Sequence, residues 1–151
     1  MIPRVDRFTR ILKTRERLRE EEQIRLRDQR NEEDGLLNKL SFLNTEKKTA
    51  FDRFLTISEG AVLSTQEIWF HRQVVDVIDK NINRESTSLN SVRKMIVDTE
   101  TRLMEKHRDV KIIDKHIGNM VKTWNTEIQL LEQKEIDDIA CIRFTPKEDQ
   151  S

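Results

Sequence analysis

One apolar column repeats every seven residues through the second half of the chain, and it restricts the folds open to this sequence. From Ile68 to Leu131, all ten members of the column are apolar. The adjacent column three residues later, which starts at His71, holds only four apolar residues out of ten. A strict seven-residue repeat favours a helix that supercoils against another helix. The pattern therefore predicts a long helix with a thin apolar seam.

The first part of the chain carries the same repeat in a weaker form. Its seam positions are apolar near both ends, whereas 15 of the 22 residues from 13 to 34 are charged. Full burial of a charge is costly, so the charged side chains at seam positions are expected to reach the edge of the seam. These residues are Arg15, Arg19, Glu22 and Glu33.

The composition supports an extended helical protein rather than one with a thick core. The apolar fraction is 35% and the charged fraction 37%, against about 45–50% and about 25% in average soluble domains. The 28 basic and 28 acidic residues cancel, which disfavours nucleic-acid binding because phosphate neutralisation needs a basic excess. A single cysteine rules out an internal disulfide. No window approaches 18 apolar residues, so no membrane-spanning helix is predicted.

Signals for the end of one helix and the start of another lie close together near residue 60. Ser64 and Glu67 have the spacing of a capping box, and Leu63 and Ile68 that of a hydrophobic staple. Gly60 can adopt the left-handed conformation that ends many helices. The stretch therefore predicts a short connection between two helices.

The predicted fold is all-α, with two long helices forming an antiparallel coiled-coil hairpin whose arms are unequal. The expected elements are helix 1 over about 4–58, a loop over 59–63, helix 2 over about 64–142 and a flexible tail over 143–151. The seven-residue phase also continues across the loop. One continuous helix that dimerises in parallel is therefore a second hypothesis.

Two pairing registers are open to the hairpin. If Ile57 faces Ile68, the numbers of paired positions sum to 125, and residues after about 124 have no partner in helix 1. A slip of one heptad would instead place Lys47 opposite Glu85. The seam pattern alone does not choose between these registers.

The sequence offers no residues arranged for catalysis or metal binding. His71, His107 and His116 lack the spacing of a metal site, and Cys141 has no nearby base. His71 is better explained as a seam-edge side chain facing Phe54. We therefore expect no enzyme activity, no metal site and no cofactor.

Three features indicate binding to other proteins. An apolar face continues on helix 2 where helix 1 runs out, which suits docking in a partner's groove; a dimer contact, a longer helix 1 or a frayed end are the alternatives. Apolar residues near the turn lie off the seam, unless residues 61–63 cover them. Basic residues near the start could steer docking to an acidic partner or form a solvated face. The candidate partner-binding residues are Trp124, Ile128, Leu131, Ile136, Ile139, Trp69, Phe70, Val77, Arg7, Arg10 and Arg17.

The chain resembles the stalk-protein family of type III secretion systems, the YscO group and its flagellar relative FliJ. The opening MIPRVDRFTRILKTRERLRE is similar to the short basic start of YscO-type proteins. The stretch STQEIWFHRQVVDVIDKNI, an aromatic-bearing start of helix 2, resembles the flagellar branch. The length and the hairpin pattern also fit this family.

The resemblance implies a non-enzymatic cytoplasmic protein, peripherally associated with a secretion apparatus. It implies association with the hexameric export ATPase, similar to the γ stalk of rotary ATPases. It also implies binding to export chaperones and to the cytoplasmic domain of the export gate, by a chain expected to be a monomer. The alternative functions are a structural tether or parallel dimeric spacer and a chaperone that holds unfolded clients.

Overall fold

The protein consists of two long helices. The computed structural model describes residues 2–60 and 64–144, with α1 at Ile2–Gly60 and α2 at Thr65–Phe144. These helices contain 59 and 80 residues, and no strand occurs within the described ranges. The predicted all-α fold is confirmed. Residues 61–63 of the predicted loop and residues 145–151 of the predicted tail lie outside the described residues.

The start of α2 is capped by Ser64. Its side-chain Oγ accepts a hydrogen bond from the backbone N–H of Glu67 at 3.2 Å. Its carbonyl oxygen accepts the first bond of the helix, from the N–H of Ile68 at 3.1 Å. Gly60 differs from the expectation, because it is the last residue of α1 and its φ lies outside the left-handed region. Leu63 of the predicted staple is not among the described residues.

Replacing Ser64 with alanine should lower the free energy of unfolding by about 1 kcal/mol, because the N–H of Glu67 loses its acceptor. Urea titration followed by circular dichroism measures the change. Ser91→Ala is the control, because Ser91 is exposed within α2 and alanine is the better helix former there. Equal effects of the two substitutions would contradict the capping role.

The chain divides into two compact units. Residues 20–104 form one, here called the turn unit; residues 1–19 and 105–151 form the other, here called the terminal unit. The core of the turn unit is a cluster of Leu26, Val92 and Ile96, each no more than 8% exposed. This narrow core agrees with the thin seam that the seven-residue repeat predicts.

The two helices of the turn unit run antiparallel. The Nζ of Lys47 lies 2.7 Å from a carboxylate oxygen of Asp79, and the rings of Phe54 and His71 lie 5.5 Å apart. In these pairs the two residue numbers sum to about 125, as in the first register. The slipped register, which would place Lys47 opposite Glu85, is therefore not adopted. A single continuous helix paired in parallel, the second hypothesis, is therefore wrong, and the placement of His71 against Phe54 is confirmed.

Glu22 is buried in the turn unit, whereas we expected it at the edge of the seam. The residue is 8% exposed and its two carboxylate oxygens are engaged by two arginines. Arg25 lies 2.6 Å from one oxygen and Arg102 lies 3.4 Å from the other. Arg102 also donates to Thr99, which is fully buried, at 3.0 Å. The arginines make burial of the carboxylate tolerable because they supply opposite charge and donors.

Gln29 lowers the stability of the same seam, because its Oε1 is buried and has no hydrogen-bond partner among the described residues. An unsatisfied buried acceptor costs about 1–3 kcal/mol. We expect Gln29→Leu to raise the free energy of unfolding by about 1 kcal/mol, as measured by urea titration. Gln23→Leu, at an exposed position on α1, should change it by less than about 0.5 kcal/mol. A loss of stability in Gln29→Leu would contradict this explanation.

The helices of the terminal unit also run antiparallel. The rings of Phe8 and His116 meet edge to face with centroids 4.7 Å apart, and Arg15 lies 3.7 Å from Asp109. Val110 is buried, at 6% exposure. These contacts follow the register that sums to about 125, because a slip of one heptad would bring Phe8 to Trp124.

Candidate partner-binding surfaces

The C-terminal part of α2 extends past the point at which the described part of α1 begins. Since α1 begins at Ile2, the register of the terminal unit ends the pairing of the two described helices near residue 123. Residues 124–144 of α2, here called the C-terminal overhang, therefore continue beyond the described part of α1. A helix in this situation leaves uncovered any apolar face that its sequence provides.

The C-terminal overhang does carry such a face. Leu131, Ile136 and Ile139 are 63%, 58% and 52% exposed. Trp124 and Ile128 are half-buried and lie on the same side of the helix, because residues three or four apart share a face. The structure therefore brings five of the predicted binding residues onto one stretch of helix and leaves three of them largely open to solvent.

A second apolar surface lies near the turn, within the turn unit. Trp69, Phe70 and Val77 are 62%, 60% and 55% exposed. Whether residues 61–63 cover them falls outside the described residues. Exposed aromatic side chains are enriched at protein interfaces because they offer a large contact area with few rotatable bonds.

Two grooves near the turn contain residues that the sequence analysis did not single out. One groove has a volume of about 670 Å³ and includes Phe42, Val74 and Val77 in its lining. The other has a volume of about 280 Å³ and includes Phe51 and Phe54. Phe42 and Phe51 are 63% and 54% exposed. Both residues lie outside the two columns of the seven-residue repeat. An aromatic residue at such a position was the sequence signal that could have identified them.

The predicted basic residues lie on α1 in the terminal unit. Arg7, Arg10 and Arg17 are all exposed. Within the part of the chain that the structure describes, none of them forms an ion pair. Their charge is therefore open to solvent and to any acidic surface that approaches.

The histidine, cysteine and acidic side chains of the described residues do not form a metal-binding cluster. Across residues 2–60 and 64–144, no three or more histidine, cysteine or acidic side chains come together as metal ligands would. His107 lies at the surface, where its Nδ1 is 3.4 Å from Arg19. Neither described helix contains a segment apolar enough, over a sufficient length, to cross a membrane.

Comparison with known proteins places this helical pair in a family. A model of the flagellar FliJ protein matches residues 4–149, which is nearly the whole chain. The searches of curated proteins and of solved structures gave no match. The family match and the two packed helices agree with the resemblance drawn from the sequence. The chain therefore belongs to the flagellar FliJ family of non-enzymatic components of flagellar and type III export.

Proposed function

We propose that this protein is the stalk of an export apparatus and associates with the hexameric export ATPase, as the γ stalk does in rotary ATPases. The observation that carries the proposal is the family match over residues 4–149. The C-terminal overhang supports it with a physical site, since its exposed apolar face suits a groove on a folded partner. The protein acts in the cytoplasm as a monomer, peripherally associated with the apparatus and without catalytic activity.

The surface near the turn serves a second class of partner in this proposal. Export chaperones and the cytoplasmic domain of the export gate are the candidates. Exposed Trp69 and Phe70 provide aromatic anchors, and the adjoining groove offers space for a side chain or a helix of the partner. The two apolar surfaces consist of different residues, so the ATPase and an escort partner would not compete for the same side chains.

The exposed basic residues of the terminal unit have a supporting role. Arg7, Arg10 and Arg17 are not engaged by described carboxylates and can attract an acidic surface before contact is made. Such residues at the rim of an interface raise the rate of association more than they raise the final affinity.

The test of this proposal is the ATP turnover of the purified cognate export ATPase. Addition of the full chain should increase turnover, and the two proteins should elute together in size-exclusion chromatography. Unchanged turnover together with separate elution would remove the ATPase from the proposal. A tether without a role in export predicts that second result.

A further inference from the structure

The C-terminal overhang differs in charge from the paired part of its own unit. Residues 125–143 contain five acidic and two basic side chains. The paired segments of the terminal unit, residues 4–19 and 105–123, together contain twelve basic and five acidic side chains. The sign of the net charge therefore reverses near Trp124, where the pairing also ends.

Four acidic side chains of the overhang lie at one edge of its apolar face or within it. With about 100° of rotation per residue, Glu127 and Asp138 fall at one edge of the face, whereas Glu132 and Glu135 fall between its apolar side chains. All four are exposed. Among the described residues, none has an ion-pair partner. The overhang thus presents unneutralised acidic side chains together with its apolar ones.

A second copy of the chain is a poor occupant for this face. Two overhangs placed face to face would bring their acidic side chains together, and like charges across an interface are unfavourable. The paired segment of a second copy has the opposite charge but little apolar surface. Residues 4–19 expose no large apolar side chain, and residues 105–123 expose only Ile112 and Val121.

We propose that the C-terminal overhang docks in a partner groove that combines apolar surface with lysine or arginine side chains. This inference rests on the proposed function, in which the partner is the export ATPase. The same basic side chains would repel the basic paired segments that precede the overhang. Docking therefore stops near Trp124, and the reversal of charge sets both the direction and the depth of insertion.

Reversal of two acidic charges on the overhang tests the basic groove. Glu132→Lys with Asp138→Lys should weaken binding to the purified export ATPase hexamer roughly tenfold at low salt. The loss should shrink at high salt, because salt screens exposed charges. The matched control is Glu20→Lys with Glu32→Lys, two exposed residues of the turn unit. The control has the same net charge and should bind as the unmodified chain does.

Photo-crosslinking in cells of the source organism identifies the occupant without assuming the ATPase. A benzoylphenylalanine replaces Leu131 on the apolar face or, as the control, Leu130, which is also exposed but lies off that face. Only the probe at 131 should crosslink strongly, to a peptide whose apolar residues are flanked by lysine or arginine in the folded partner.

The possible outcomes separate the inference from the proposed function. A crosslink to a groove with basic side chains on a protein other than the ATPase keeps the inference and removes the ATPase assignment. A crosslink to a second copy, a crosslink to a groove without basic side chains, or no crosslink overturns the inference. Equal ATPase binding by the charge-reversed variant and its control also overturns it, while the proposed stalk function stands.

Discussion

Replacement of Ile96 with alanine is expected to lower the free energy of unfolding by about 2 kcal/mol. Ile96 belongs to the three-residue core of the turn unit with Leu26 and Val92, and it is 8% exposed. Truncating a buried isoleucine to alanine costs about 2–5 kcal/mol. The lower end of this range applies to Ile96, because water can enter the cavity that the substitution leaves in an interface between only two helices. Urea titration followed by circular dichroism at 222 nm, the usual wavelength for helix, measures the change.

The neighbouring residue Val97 provides the control for this substitution. It is 60% exposed on the same turn of α2, so Val97→Ala should change the free energy of unfolding by less than about 0.5 kcal/mol. Similar losses in the two variants would mean that burial in the seam does not determine the stability of the turn unit.

Replacement of Leu131 with aspartate is expected to weaken binding to the export ATPase by at least roughly tenfold. The side chain is 63% exposed in the free protein and would lie in the centre of the proposed contact, where truncation or polar replacement has its largest effect. A tenfold loss corresponds to about 1.4 kcal/mol. Isothermal titration calorimetry with the purified ATPase measures the affinity.

The control is Leu130→Asp, which introduces the same charge one residue earlier. Leu130 is 65% exposed but lies off the apolar face of the overhang. Its variant should keep most of the affinity, and both variants should have the melting temperature of the unmodified chain. Equal losses of affinity would show that added charge, rather than loss of the apolar contact, weakens binding.

The fold could be predicted from the sequence because its main determinant is a simple repeat. The unbroken apolar column from Ile68 to Leu131 dictates a long helix with a partner, and Ser64 begins that helix through a local hydrogen bond. Both signals depend on residues close in sequence. The register depends on contacts between distant residues, such as Lys47 with Asp79. The sequence therefore does not choose firmly between the two registers.

The candidate site could be predicted only in part. The overhang follows from a count of residues in the two helices once the register is fixed, so Leu131 and Ile139 were found from the sequence. The grooves near the turn depend on how neighbouring side chains leave space, which no repeat encodes; Phe42 and Phe51 were missed for that reason. The burial of Glu22 was also missed, because one of its two arginine partners, Arg102, lies 80 residues away in the sequence.

The pair formed by Glu22 and Arg102 has a consequence for how the chain reaches its native state. The two helices of a hairpin with a seven-residue repeat can pair one heptad out of register in either direction. Most of the apolar pairs would still form in such a shifted register. In either mistake Glu22 would lie opposite Ile96 or Val110 and would lose Arg102, so only Arg25 of its own helix would remain beside the carboxylate. Removing a partner from a buried charge is destabilising, so misaligned hairpins should reopen and realign rather than persist as long-lived misfolded species.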